Sequence, residues 1–234
     1  MIWSGYSSCY RSLGGGCSDD LLPDSIDMPC YNCDLPATTR EHVPPRGFFP
    51  RGFRNNLWTV PSCARHNLDN SLDVEYARNV IVSHRNVRGT AQELAQSASF
   101  RSFERSAALF YQTFHDVQFV IINGERTAVF PFDLPRFKRV IDAAASGLFY
   151  VENNVRHCGN WNVFSPTLLG ANDLAGVPND WQRFRDLMAQ IPFEVQRSPE
   201  PTVFRFGKHQ FDDHVHFAYA LEFYGGFHVY VWNQ

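Results

Sequence analysis

Two short spacings constrain this chain more than any other feature. Cys30 and Cys33 enclose two residues, Cys63 and His66 enclose two more, and twenty-nine residues separate the pairs. Zinc takes four ligands in a tetrahedron and accepts thiolate and imidazole alike. A lone Cys-x2-Cys says little, but two such knuckles with a hairpin's length of chain between them predict that all four close on one ion. The competing account is a redox Cys-x2-Cys beside a coincidental Cys-x2-His, and it leaves half of the pattern without a reason.

The remaining composition narrows the setting. Six cysteines in 234 residues do not make a disulfide scaffold, so a reducing, cytoplasmic compartment is expected. At this length, with 44% hydrophobic residues, the chain can bury the core of one large domain or two modest ones. It has no apolar run long enough to span a bilayer, so no membrane partner is expected. The first residues, "MIWSGYSSCYRSLGGGC", lack the basic start and apolar stretch of a signal peptide.

A net charge of −3 argues against general polyanion binding, but the charge is uneven. Between Arg40 and His66 stand five arginines (Arg40, Arg46, Arg51, Arg54 and Arg65) against the single acid Glu41. The planar fork of arginine fits phosphate, so this local excess is compatible with nucleic acid. The chain-wide preference for Arg over Lys, nineteen to two, has a simpler explanation in codon bias, but that does not account for the clustering.

Punctuation along the chain predicts three regions. Residues 1–28 are Ser- and Gly-rich and read as an irregular leader. Residues 29–88 carry the knuckles. There "TTREHV" (38–43) and "NLWTV" (56–60) read as paired strands, joined by a loop dense in Pro, Gly and Arg. A helix is expected from Cys63, capped by Ser62. Its continuation places Leu72, Tyr76 and Val80, with Ala77 and Ile81, at helical spacing, and Gly89 stops it.

Residues 89–234 read as an accessory α+β body for target recognition, dimerisation or partner docking. "TAQELAQSASFRSFERSAALFYQTF" reads as helical, and Asn123-Gly124 sits between apolar runs as in a hairpin. "DLPRFKRVIDAAASGLFY" predicts a helix stopped at Gly147, and "NDWQRFRDLMAQI" a helix capped by Asn179 or Asp180. Three antiparallel strands are expected at the C-terminus: 202–206, 214–223 and 227–232.

Between the knuckles lie further polar residues in a telling order. Glu41-His42 ends the first strand before Pro44-Pro45, Asn56 is expected to start the second, and Asn67 follows the last soft ligand. The composite "CYNC…REHVPP…NNLWTVPSCARHNLDNS" resembles the HNH endonucleases, the ββα-metal nucleases, in their zinc-stabilised form, over roughly residues 29–75. The resemblance implies a treble-clef-like zinc-held ββα module that hydrolyses DNA phosphodiesters, leaving 3′-hydroxyl and 5′-phosphate ends. It implies structural Zn2+ on Cys30, Cys33, Cys63 and His66, and a catalytic Mg2+ or Mn2+ on Glu41 and Asn67.

His42 would then be the general base, with Asn56 orienting it and Asn55 as the alternate. Asn70 is the second candidate ligand or a phosphate contact, and the five arginines would grip the DNA backbone. Helical geometry lets His66 face zinc while Asn67, about 100° further round, faces the catalytic ion. Three residues depart from the family's usual pattern. Glu41 stands where it often has Asp, His66 where it often has Cys, and Asn70 where it often has Lys. The first two swaps keep the ligand chemistry, and the third removes a cation.

A bacterial or phage restriction or antiviral defence role follows by analogy. Two alternatives stay open. One is a non-catalytic zinc module binding nucleic acid or protein. The other is a nuclease subunit silent until a partner protein, or a second copy, engages the C-terminal region.

Other signals are read more plainly. His214 and His216 could chelate a metal, but alternation puts Val215, Phe217, Tyr219, Leu221 and Phe223 on the buried face and the histidines on the wet one. Cys9, Cys17 and Cys158 are expected as small buried hydrophobes. Trp161 and Trp181 are expected in the core, and the aromatic tail 223–232 as core or a dimer-forming edge.

Overall fold

Between the two knuckles the chain doubles back as expected. In the computed structural model, which describes residues 28–67, 71–122, 124–166, 168, 183, 186–211 and 216–233, β1 (Thr39–Val43) pairs antiparallel with β2 (Trp58–Ser62). The register sets His42 opposite Thr59 and Val43 opposite Trp58. β-Branched and aromatic residues supply half of the two strands, as a pleated, half-buried surface favours. Asn56 does not start the second strand. It lies two residues before it, exposed, in a left-handed turn with φ of 61°, a conformation asparagine tolerates better than most residues.

The connecting loop holds two one-turn 3-10 helices, Arg46–Phe48 and Arg51–Phe53, each entered from a proline. Phe48 and Phe49 are fully buried and pull the loop inward. Gly47 permits close contact there, since a Cβ on it would lie 2.7 Å from Val74 Cγ1.

Helix α1 (Ala64–Asn67) follows β2 directly, and α2 (Ser71–Val82) buries Tyr76, Ala77, Val80 and Ile81 as their spacing predicts. Leu72, expected on that face, is 66% exposed. The helix ends at Val82 rather than near Gly89. The chain beyond it docks on the tip of a later hairpin instead. Arg88 donates its N–H to Tyr224 O at 3.0 Å, and Asn86 O lies so close to Gly226 that a Cβ there would be 2.0 Å away.

The next helical stretch divides into α3 (Thr90–Arg105) and α4 (Ala107–Thr113). Ser106 makes the break, because its side chain accepts the Leu109 N–H at 3.2 Å as an N-cap. β3 (Gln118–Ile122) and β4 (Glu125–Val129) form the expected hairpin.

Helix α5 (Leu134–Asn153) is capped by Asp133 and does not stop at Gly147. Gly147 is a contact point within it, since a Cβ there would lie 2.6 Å from Val43 Cγ2 of β1. The helix ends instead at Asn154, which takes a left-handed φ of 53°. Asp73 ties α2 to α5 by accepting from Arg136 at 2.5 Å and Arg139 at 2.9 Å.

The C-terminal strands form a four-stranded antiparallel sheet in the order β5-β8-β7-β6, from β5 (Trp161–Phe164), β6 (Phe204–Gln210), β7 (Phe217–Phe223) and β8 (Phe227–Asn233). β5 has no counterpart among the expected elements. Trp161 is buried, and β8 is an internal strand, so the aromatic tail serves the core. β7 departs from its expected alternation, being buried at every position. Met188, Ile191, Ala218, Ala220 and Tyr230 form a second apolar layer over the face expected to be wet.

One apolar cluster runs from Cys30 and Tyr31 through Val43, Phe48 and Ile81 to Phe137, Phe206 and Phe227. The hairpin thus shares a core with the C-terminal sheet. The leader up to residue 27, the caps Asn179 and Asp180, and Trp181 lie outside the described residues. Among the described residues no helix is long and apolar enough to cross a membrane.

Candidate metal centre and the adjoining cavity

The segment before β1 is folded by its own backbone bonds. Cys30 donates its N–H to Leu35 O and Ala37 to Met28 O, both at 2.8 Å, which coils residues 28–37 into a tight knuckle. Tyr31 N–H to Pro61 O at 2.8 Å and Thr38 N–H to Ser62 O at 3.0 Å fasten that knuckle to β2. On the far side, His66 and Asn67 donate their N–H groups to Cys63 O, so the second knuckle is the first turn of α1.

The two knuckles bring Cys30, Cys33, Cys63 and His66 together, with their ligand atoms all within 4.8 Å of one another. Cys33 Sγ lies 3.7 Å from Cys63 Sγ, and His66 Nδ1 lies 3.5 Å from Cys30 Sγ and 3.3 Å from Cys63 Sγ. A tetrahedral ion with sulfur at about 2.3 Å and nitrogen at about 2.0 Å would hold its ligands about 3.5–3.8 Å apart. The donor set and spacing therefore fit zinc.

The local fields agree. Burial alone would raise the Cys30 thiol, but the backbone N–H groups of Asn32 and Cys63 together with the Cys63 and Cys33 side chains hold it below its ordinary value. Cys33 is pushed up by burial and by the neighbouring sulfurs, the repulsion that a central cation relieves. Burial and Arg65 keep His66 below its ordinary value, in the neutral form that ligates. Among the described residues this is the one cluster of three or more His, Cys, Asp and Glu placed to bind a metal, so Glu41 belongs to no second such group.

Beside the metal centre lies a small cavity of about 20 Å³ for the centres of water molecules, bounded by Tyr31, Glu41, His42, His66, Val140 and Ala143 among others. That is room for about one water. Glu41 and His42 are strand neighbours and leave opposite faces of β1. Even so, they reach one space, because the Glu41 carboxylate folds back to accept the His42 N–H at 3.0 Å. Burial pushes the Glu41 carboxyl up to about 7, against the pull of that N–H. His42 moves the other way: burial, then Arg46 and Arg54, hold its imidazole below the usual 6.5.

Asn67 sits one step along the strand. Its amide nitrogen donates to Thr39 Oγ1 and to Arg40 O, both at 3.1 Å, clamping α1 to β1. That leaves Oδ1 as the oxygen that could meet a cation, but Asn67 is not part of the cavity lining. Asn70 lies outside the described residues. Asn55 and Asn56 are both exposed in the turn, and Asn56 makes no hydrogen bond with His42 among the described residues.

Among the described residues none of the five arginines (Arg40, Arg46, Arg51, Arg54 and Arg65) is neutralised by an acid, a property shared with Arg88, Arg101, Arg105 and Arg126. Arg78, Arg85, Arg136, Arg139, Arg156, Arg197 and Arg205 each pair with a carboxylate. Arg54 is pulled below its ordinary value by burial and then by Arg46, Arg51 and Arg78, so the flank of His42 carries an uncompensated positive field.

Sequence reasoning missed Tyr31, Val74, Val140 and Ala143 as walls of the cavity. The last two come from α5, about a hundred residues away in the chain, and no local pattern marks them. Cys158, expected to be buried, is exposed. Cys9, Cys17, His214 and Val215 lie outside the described residues, and His216 is exposed. Compared with protein-family models, with curated proteins and with solved structures, the chain matches none.

Proposed function

We propose that the chain is a metal-dependent nuclease of the HNH type, hydrolysing phosphodiester bonds of DNA. One observation carries this reading: a half-buried carboxylate, an imidazole biased to its neutral form and the inner wall of a Cys3His site share a cavity of one water's size. Attack on a phosphodiester needs a water that gives up its proton. His42 is the acceptor, kept neutral by burial and then by repulsion from Arg46 and Arg54.

Glu41 and Asn67 Oδ1, with Asn70 as a second candidate, would hold Mg2+ or Mn2+. Such an ion supplies Lewis-acid charge at the phosphate and the departing oxygen. Four protein ligands make the zinc site a closed, structural one, which keeps β1 on α1. The unpaired arginines supply phosphate contacts around the cavity. Reduced thiolate ligands suit a cytoplasmic setting, and a place in bacterial or phage restriction or antiviral defence rests on analogy with the HNH family.

Nicking of supercoiled plasmid by the zinc-loaded chain, with Mg2+ or Mn2+, tests the proposal. His42→Ala should lower the rate by about 10²–10⁴-fold while zinc content and folding stay unchanged. If parent and variant are equally inert on supercoiled, linear and single-stranded DNA and on RNA, the nuclease reading fails. The zinc module then only binds, or awaits a partner protein.

A further inference from the structure

Strand β2 pairs only with β1 among the described residues, so its outer edge is uncovered by any strand. Between that edge and the last turns of α5 runs a groove of about 300 Å³. Its floor is aliphatic, from Val60, Pro61 and Val151, and Trp58 and Tyr150 add two aromatic side chains. Polar groups come from Arg40, Thr59 and Asn154, and no acid lines it. The Trp58 ring packs T-shaped with Phe206 at 5.7 Å, and both Trp58 and Tyr150 are half-buried against the core. The exposed Arg40 is held by its Nε–H to Thr59 Oγ1 at 3.0 Å, which leaves the terminal nitrogens of its guanidinium for a ligand.

We propose that this groove takes one unpaired nucleotide of a polynucleotide strand, with its base against Trp58 and Tyr150 and its phosphate on Arg40. The proposal rests on the nuclease reading for the identity of the ligand and deepens it, since it makes single-stranded or locally opened nucleic acid the preferred substrate. The volume is at the small-ligand end of binding sites. Two aromatic groups with one unpaired cation and no carboxylate match a base and a phosphate. An apolar peptide would leave Arg40 unused, and a paired base offers its edge rather than its face.

Helix α5 borders both the groove and the cavity, with Val43 packed on Gly147 between them. Val140 and Ala143 wall the cavity and Tyr150 and Asn154 the groove, at spacings that keep them on one face of α5. The seven steps from Ala143 to Tyr150 span about 10 Å of helix, a distance that a short run of nucleotides covers.

The test uses the full zinc-loaded chain carrying His42→Ala, so that binding is read without cleavage. The probe is a fluorescein-labelled twelve-nucleotide single strand, with the corresponding duplex beside it, followed by anisotropy. The single strand should bind more tightly than the duplex. Tyr150→Ala should weaken single-strand binding by about ten- to a hundredfold. Tyr150→Phe should restore it, and Arg40→Met should weaken it and flatten its salt dependence. Equal binding by the Tyr150→Ala variant, or a duplex preference that it does not alter, overturns the groove. If His42-dependent nicking then persists, the nuclease reading stands alone. Tyr150-dependent binding without His42-dependent nicking supports the groove and sinks the nuclease.

Discussion

Gly147→Ala sets two physical expectations against each other. Helix propensity says that alanine in the middle of α5 should stabilise by about 1 kcal/mol. The packing says the reverse. The new Cβ would lie 2.6 Å from Val43 Cγ2 and 3.2 Å from Cγ1, where carbon pairs prefer about 3.5–4.0 Å. Val43 is buried, so β1 must move by about an ångström or Val43 must leave its rotamer. Overpacking of that kind costs about 1–3 kcal/mol, and burial of the extra methyl does not offset it. The net expectation is a loss of up to about 2 kcal/mol, in place of the gain of about 1 kcal/mol that propensity alone predicts. Val43→Ala alone should cost about 2 kcal/mol, as a buried large-to-small change. The double variant should cost less than the two single losses together, because the methyl introduced on α5 fills the space that the valine vacates. Urea denaturation with zinc present, extrapolated for all four proteins, measures the cycle. If Gly147→Ala is more stable than the parent by the full propensity gain of about 1 kcal/mol, or if the two changes add within about 0.5 kcal/mol, the close approach of α5 and β1 is wrong.

Two further outcomes follow from the site. His66→Cys should keep about one zinc per chain, because thiolate replaces imidazole in a closed tetrahedron, whereas Cys63→Ser should lose the metal and most of the cooperative unfolding transition; equal zinc in both, by atomic absorption, would count against the shared centre. Glu41 carries a carboxyl raised from 4.5 to about 7 by burial, so the folded state holds the proton more tightly than the unfolded one. Its favourable contribution is full below about pH 4.5 and lost as pH rises through 7. Glu41→Gln should therefore gain stability relative to the parent between pH 5 and 8 in buffer free of added divalent ions. The shift is worth at most about 3 kcal/mol, and partial exposure reduces this to about 1–2 kcal/mol; a pH-independent difference in melting temperature would refute the burial.

What could be read in the sequence was local. The knuckles follow from spacing, the β1–β2 and β3–β4 hairpins from residue type and turn chemistry, and the buried stripe of α2 from period. Reading failed where a distant element decided the outcome. Gly147 looks like a stop signal, and only the approach of Val43 shows it to be a contact. Alternation along β7 predicts one wet face, but the layer containing Met188 and Ile191 covers it. The helix expected to reach Gly89 ends at Val82, because the following backbone bonds to Tyr224. In the candidate site, the clustering of Cys30, Cys33, Cys63 and His66 is legible from spacing. That Glu41 and His42 reach one cavity is not, because a side chain folding back onto the next N–H leaves no trace in alternation.

His42 is therefore held from two sides that the sequence keeps far apart. On one side the Cys3His cluster and the Asn67 amide fix β1 to α1. On the other, the neighbouring Val43 rests on Gly147 of α5, and the loop that follows is fastened where the Tyr224 hydroxyl donates to Phe48 O. Loss of a metal from the Cys3His cluster would loosen the first side, where only the Asn67 amide bonds would remain, and leave the second. A displacement of α5 does the converse, and it carries with it Val140 and Ala143, which wall the cavity. The hairpin shares its core with α5 and the C-terminal sheet, so residues 29–88 alone would expose Val43, Phe48 and Phe49 to water. Whatever the C-terminal region binds, its mechanical route to the imidazole is short: one glycine, one valine and the peptide bond before it.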